Sequence, residues 1–341
     1  MKLNKYIFII VAALFTVTSV NAQNGTAAYE YLNIPVSSHV YGLGGHNLTI
    51  IDDDVNLIEQ NPALLGPEIE KQVGLNYMRY LGSSNFMGAR FGMGINDRSA
   101  WAASIQYFGY GNMTQTDPDG TISGTFNASD IAFTGSYSHD ITERWRGGIN
   151  IKFLSSKYAE YSALAICADL GVNYYNPDND LSFSVVLKSL GAQVKKFNET
   201  YDKLPWDIQI GYSQSLSEAP IRFSITATNL TKWKLPYYQR EDANSTTSEL
   251  VKKESFSSNL FRHLTFAAEY APSDKFYIGL GYNYKTRTDM TTYSRNFLSG
   301  FSLAGGIKVK SFGVGVALSQ PHVGGTTFML NFTMALSSLL N

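Results

Sequence analysis

The stretch "TFMLNFTMAL" (Thr327–Leu336) decides the fold of this chain. Phe328, Leu330, Phe332, Met334 and Leu336 fall on one face of an extended backbone, and Met329, Asn331, Thr333 and Ala335 fall on the other. The apolar face carries no charge. The same period of two recurs in "LSFSVVLK" (Leu181–Lys188), "WDIQIGY" (Trp206–Tyr212), "PIRFSITAT" (Pro220–Thr228) and "FGVGVAL" (Phe312–Leu318). A helical period of 3.6 does not keep these alternating residues together on one face, so the chain is read as all-β from residue 71 onward.

Fourteen such segments begin near residues 71, 84, 99, 129, 143, 161, 180, 205, 219, 259, 274, 297, 311 and 325. Their length of about nine to thirteen residues is what a tilted strand needs to cross a bilayer. The strands of a soluble sandwich average about five or six residues and turn a polar face to water. The charges are sorted as a membrane barrel requires: Arg90, Arg146, Lys152, Asp169, Lys188, Asp207, Arg222, Glu269 and Lys308 share the second face, and Arg79, at a strand end, is the exception. A charge at the lipid midplane costs about 2–4 kcal/mol. An open sheet edge would leave backbone groups unpaired in hydrocarbon, so the even set of strands is expected to close into a 14-stranded antiparallel transmembrane β-barrel over residues 71–341.

The connections alternate as well. "NDRS", "HDITER", "NPDND", "SEAP", "PSDK" and "KVKS" are tight, whereas 109–128, 190–204, 232–258 and 286–296 are longer. Short periplasmic turns and longer outer loops put both chain ends in the periplasm. Trp145, Tyr174, Tyr270 and Phe276 are expected at the inner aromatic girdle, and Tyr107, Trp206, Tyr284 and Phe301 at the outer one. With 22 Tyr, 20 Phe and 29 Gly, a formal net charge of −1 and no basic cluster, the composition argues against nucleic-acid binding.

The N-terminus reads as a secretory leader. Lys2 and Lys5 precede an apolar run, Tyr6–Val17, and Val20 and Ala22 occupy the small-residue positions before a cut at Gln23. Residues 1–22 are therefore assigned to a signal peptide and 23–70 to a segment of coil and short helix that does not alternate. The glycines among the inward positions (Gly88, Gly92, Gly94, Gly148, Gly171, Gly211, Gly279, Gly281, Gly306, Gly313 and Gly315) leave room for that segment as a plug inside the barrel.

The densest part of the plug is "IDDDVNLIEQNPALL" (Ile51–Leu65). Asp52 or Asp53 is expected to cap one to two helical turns in "VNLIEQ", with the remaining acids at the positive helix end. Asn61 ahead of Pro62 is pushed out of the helical region. A calcium loop needs oxygens at alternate positions with a distal acid, and Asp52, Asp53 and Asp54 stand side by side, so no metal is assigned. Arg90, Arg146 and Arg222 are candidate partners for these acids. Upstream, "YGLGGHN" (Tyr41–Asn47) carries Gly42, Gly44 and Gly45, but no Lys-Ser/Thr follows to make a phosphate loop.

The stretch "LNIPVSSHVYGLGGHNLTIIDDDVNLIEQNPALLGPE" resembles the N-terminus of the PorQ family of the type IX secretion system, which is related to PorV among the FadL-like barrels. The resemblance is specific over residues 32–67. Asn61, Pro62 and Ala63 match the family's turn, Gly42, Leu43, Gly44 and Gly45 its glycine element, and Asp52 to Asp54 its acidic element. It implies a FadL-like barrel in the bacterial outer membrane, closed by the N-terminal plug and in contact with outer-membrane lipid. It further implies a scaffold in the surface attachment complex that handles secreted cargo, with PorZ, PorU and PorV as partners and no cofactor. The alternative is a FadL-like transporter of hydrophobic small molecules, which needs an apolar pocket in the lumen; the lumenal positions here are mainly polar and glycine.

No enzyme is expected. Cys167, between Ala165 and Asp169 on an inward column, is read as a small filler, and the five His residues form no pair at zinc-ligand spacing. In the longest outer loop, 232–258, Trp233, Tyr237, Tyr238 and Arg240 mix aromatic anchors with charge, a composition suited to docking a partner.

Overall fold

The computed structural model describes residues 28–241, 249–290, 298–322 and 325–337. The expected leader and the first residues of the plug lie outside them. The chain forms β1 (Gln72–Arg79), β2 (Asn85–Asn96), β3 (Ser99–Thr116), β4 (Ile122–Asp140), β5 (Trp145–Tyr158), β6 (Tyr161–Asn176) and β7 (Leu181–Lys195). Next come β8 (Asp207–Ser215), β9 (Ile221–Ala227) and a small hairpin, β10 (Tyr237–Arg240) with β11 (Leu250–Lys253). The rest is β12 (Leu264–Ser273), β13 (Phe276–Asn283), β14 (Phe301–Val309), β15 (Phe312–His322) and β16 (Gly325–Ala335). β9 pairs with β12 across the small hairpin, and β1 pairs with β16, so fourteen antiparallel strands close on themselves.

The period of two holds in the register. Phe332 lies between Leu75 of β1 and Val314 of β15, all outward, while its neighbour Asn331 lies between Asn76 and Gly315 on the inner face. Leu, Ile, Val and Phe side chains form the exposed outer band, and Arg90, Lys152, Asp169, Lys188 and Glu269 are buried inside. Arg79 points outward at its strand end, as expected.

The six connections read as tight all lie at one end of the barrel, here the turn end. Their polar side chains replace the ladder locally: Asn96 accepts from the Arg98 N–H, Thr142 from Arg144 and Trp145, and Asn176 from Asp178. At the opposite, loop end the structure departs from expectation. Much of 109–128 is strand, because β3 and β4 stay paired out to Thr116 and Ile122. β7 likewise continues to Lys195. Segment 232–258 holds the β10–β11 hairpin, and Tyr284 begins a short helix instead of ending a strand. β12 starts at Leu264, later than expected, because Ser255 caps a helix over Phe256–Arg262 by accepting from the Ser258 N–H.

Candidate functional site: the plug and its wall

Residues 28–71 thread the barrel from the loop end to the turn end. Tyr29, Tyr31 and Leu32 pack among Met78, Phe86, Phe108 and Leu154 near the loop-end limits of their strands. The Tyr29 hydroxyl accepts from Gln193 at 3.1 Å. The first described residues thus sit at the loop end; the chain ends, expected at the turn side, lie outside the described residues. Helix α1 (Ser38–Gly42) then crosses β13 to β16, and two single turns of 3-10 helix follow, Val55–Leu57 and Pro62–Leu64.

Every strand of the wall meets the plug. Gln72 of β1 accepts from the Val55 N–H, and Arg90 of β2 donates to Asn56, 2.9 Å away. Ser104 of β3 donates to Glu59, Ser138 of β4 to the Leu65 carbonyl, and Asn150 of β5 to the Ile58 carbonyl. Gly171 of β6 faces Asn61 and Pro62. Ser184 of β7 and Ser213 of β8 donate to the carbonyls of Leu48 and Thr49, and Asn47 donates to Ser224 of β9. Glu269 of β12 pairs with His39, Asn283 at the end of β13 donates to the Gly44 carbonyl, and Ser302 of β14 donates to that of Gly42. Gly315 of β15 faces Ser38, and Asn331 of β16 accepts from the Ser38 N–H and donates to the Val36 carbonyl. Polar wall groups thus satisfy the plug backbone, which has no ladder of its own.

The glycine element has two jobs. Gly42 brings α1 against Ala304 with no space for a side chain. Gly44 and Gly45, at φ of 92° and 82°, turn the chain out of the helix, and the Gly45 N–H closes on the Val40 carbonyl at 3.1 Å. On the wall, Gly92, Gly94, Gly148, Gly171, Gly211, Gly279, Gly281 and Gly315 lie against plug atoms, as their inward positions anticipated; Gly88, Gly306 and Gly313 face other wall side chains.

The Asn-Pro-Ala turn packs against the wall at β4, β5 and β6. Asn61 is extended (φ −150°), its side chain accepts from the Ala63 N–H at 2.9 Å, and its amide donates at 3.0 Å to both the Leu48 carbonyl and Ser184. One side chain therefore caps the turn started by Pro62, joins two passes of the plug and ties both to β7. Leucines and isoleucines fill the remaining space. Val40, Leu43, Ile50, Leu57 and Leu64 form one apolar cluster and Val55, Ile58, Leu65 and Ile69 another.

The acids divide. Asp54, not Asp52 or Asp53, is the cap: it accepts from the Asn56 N–H at 2.9 Å. The helix it starts is a single 3-10 turn, after which the Gln60 and Asn61 N–H groups donate back to the Leu57 carbonyl in a closing turn. Asp52 and Asp53 lie 3.8 Å from Lys308 at the turn-end mouth, where they line a cavity of about 50 Å³ with Asp274, Lys275 and Tyr277. None of the three arginines pairs with these acids. Arg90 goes to Asn56 and Asn76, Arg146 to Asp140 and the plug's Glu68, and Arg222 to Asp180 and Glu269. Among the described residues, no group of three or more His, Cys, Asp or Glu side chains is placed to hold a metal ion.

The buried polar residues of the plug that the sequence reading did not assign include His39, Asn56, Glu59 and Gln60. Glu59 lies 3.8 Å from Lys152, which is itself 2.6 Å from Asp169, and Gln60 accepts from Lys188 at 3.4 Å. Two polar side chains in a row inside an apolar plug, facing a column with two lysines, were the available signal. His39 stacks on Tyr277 with ring centroids 3.8 Å apart. The Glu269 carboxylate of β12 pairs with the His39 Nε2 inside the barrel. Cys167 is buried in the loop-end cluster against Ala165 and Leu154, the filler role expected of it.

In the outer segment, Trp233 and Tyr238 are exposed, Tyr237 lies under the Arg262 guanidinium at 5.1 Å, and Arg240 pairs with Leu250 in the hairpin ladder.

The described residues form a closed 14-stranded antiparallel barrel with its N-terminal segment folded inside, a fold like that of solved FadL-like barrels. The chain is similar in fold to a Pseudomonas aeruginosa FadL homologue, with a TM-score of 0.51 and 13% identity over 88% of this chain and 98% of that one. The Pseudomonas putida toluene transporter TodX gives 0.51 and 10% over 86% and 95%, and the monoaromatic hydrocarbon channel CymD gives 0.53 and 10% over 90% and 98%. No family model matches the chain, and no curated protein matches it in sequence.

Proposed function

We propose that this chain is a bacterial outer-membrane barrel that works as a sealed scaffold rather than as a conduit or an enzyme. The observation that carries the reading is that the plug meets the wall at every one of the fourteen strands, with buried polar contacts on all sides. Function then resides on the loop-end surface, where β3 and β4, β7 and the β10–β11 hairpin project. The PorQ-like segment 32–67 supports a place in the surface attachment complex of type IX secretion, with PorZ, PorU and PorV as partners.

A second reading, passage of hydrophobic small molecules, is favoured by the likeness in fold to transport barrels and by the apolar loop-end cluster around Tyr31, Phe86, Phe108 and Leu154. The test compares a chromosomal deletion with a strain in which 232–258 is shortened, scoring surface retention of secreted cargo and uptake of fatty acids or monoaromatics. The scaffold reading expects both strains to shed cargo into the medium with uptake unchanged. Full retention of cargo with loss of uptake in the deletion strain overturns it in favour of transport.

A further inference from the structure

Helix α2 (Phe256–Arg262), between the small hairpin and β12, has its polarity reversed for a helix in water. It buries Asn259 and Arg262 and exposes Phe256, Leu260 and Phe261. Both buried side chains have polar partners. Asn259 accepts from the Leu235 N–H at 3.1 Å, and Arg262 lies 2.7 Å from Asp289 and above the Tyr237 ring. Phe256 keeps 72% of its surface exposed, which gains nothing from water. A helix with its apolar side outward belongs against a hydrocarbon boundary.

The apolar side is continuous with the outer face of the barrel. Phe261 packs against Phe266 of β12 and Tyr284, and Phe266 stands between Ile225 and Tyr282 in the outward row. Trp233 extends the patch: its ring stacks on His263 at 5.2 Å and meets Phe256 at 5.6 Å, while His263 is held by the Thr228 and Trp233 carbonyls. Around this patch stand exposed lysines. Lys232 and Lys234 flank Trp233, and Lys252 and Lys253 close β11 just before the helix; Glu254 lies 3.4 Å from Lys234 and 3.3 Å from Lys252. Exposed aromatics beside lysine ammonium groups, at the edge of an apolar band, match the boundary between acyl chains and anionic headgroups.

We propose that Trp233 and α2 form an interfacial anchor in the outer leaflet, and that Lys232, Lys234, Lys252 and Lys253 bind the phosphates of its lipid headgroups. The proposal rests on the outer-membrane reading but not on the secretion role. It assigns the aromatic patch to lipid and leaves the hairpin, held upright by the anchor, for a protein partner.

The test uses the full chain with Cys167→Ser as background. Single cysteines at Phe256, Leu260 and, as a control at the tip of the β3–β4 hairpin, Asp119 are labelled with an environment-sensitive fluorophore in phosphatidylcholine vesicles. Labels at 256 and 260 should emit to the blue and be quenched by spin-labelled lipid, whereas the label at 119 should be quenched by aqueous iodide. A label at 256 that behaves like the one at 119 overturns the anchor. In a second arm, the variant with all four lysines changed to Gln is compared with the parent for binding bisphosphorylated and dephosphorylated lipid A. Affinity for the phosphorylated form should fall about fivefold per lysine, with the other form unchanged. Equal loss on both forms, or no loss, overturns the phosphate contacts. Cell-surface cargo retention is scored separately, so failure here leaves the scaffold reading standing.

Discussion

Gly148→Ala isolates the fit between plug and wall. Gly148 is on β5 and faces inward, and a methyl group added there meets the carbonyl carbon and oxygen of Pro62 and the amide nitrogen of Ala63. All three are plug backbone, so no flexible side-chain end can swing aside. The molecule has two ways to respond. It can absorb the methyl group by local shifts, at about 1–3 kcal/mol for overpacking. Alternatively it can push the turn inward, stretching the Asn61 bonds to the Leu48 carbonyl and Ser184, worth about 0.5–1.5 kcal/mol each. The cheaper course sets the outcome, so destabilisation of about 1–3 kcal/mol is expected. Gly135→Ala, on the neighbouring strand β4, is the control: the position faces outward and a methyl group there meets nothing within 4 Å. Its effect should stay within about 0.5 kcal/mol. Denaturant titration in vesicles measures both. Hydrogen exchange at the Ala63 amide, held by Asn61, locates the change, since it should lose protection in Gly148→Ala alone. Equal destabilisation by the two variants, or an Ala63 amide equally protected in both, would refute the packing of the turn against β5.

The other expectations are briefer. Phe332→Arg puts a charge on the lipid face and should cut folding yield, at about 2–4 kcal/mol near the midplane. From sequence, Asn331→Arg looks mild because the residue points inward; the structure reverses this, since Asn331 holds the backbone at Val36 and Ser38, so Asn331→Ala should insert normally yet lose about 1–3 kcal/mol of plug stability by hydrogen exchange. Asp54→Ala removes a cap and should cost about 1 kcal/mol, Asp53→Ala should be near neutral, and added calcium should leave the thermal midpoint of the parent unchanged. His39→Gln breaks the buried pairing with Glu269 and should quicken hydrogen exchange of the α1 amides relative to the parent, an unchanged rate counting against the pair's role in holding the plug.

The barrel was legible because its code is local. Strand period, charge sorting and turn composition are each read within about ten residues, and the expected strand starts fall close to the observed ones, except that β4 begins at Ile122 where a start near 129 was expected. The misses have local causes too. Extended pairing beyond the membrane in β3 and β4 is stabilised by cross-strand contacts between residues read as loop, such as Met113 with Phe126. The helix capped by Ser255 runs across the boundary between the segment read as loop, 232–258, and the strand expected from near 259, so neither reading held it. Asp52 and Asp53 satisfied the rule for a helix cap as well as Asp54 did; only the position of the Val55 turn on Gln72 of β1 decides among them.

The plug was legible in kind and not in partners, and the reason bears on function. Its contacts join residues far apart in sequence: Asn61 to Ser184, Glu59 to Lys152, His39 to Glu269 and Ser38 to Asn331. The closed wall brings each of these pairs together, and no window of sequence contains both members. The same geometry limits what the plug can do. Opening a path by withdrawing it strips His39 from Glu269 and Glu59 from Lys152, and exposes the Leu43, Ile50, Leu57 and Leu64 cluster to water. Breaking even one buried charge pair by removing a partner costs about 3–5 kcal/mol. A conduit built this way works against its own core at each opening, whereas a scaffold gains a rigid base for its loop-end surface from every one of these contacts.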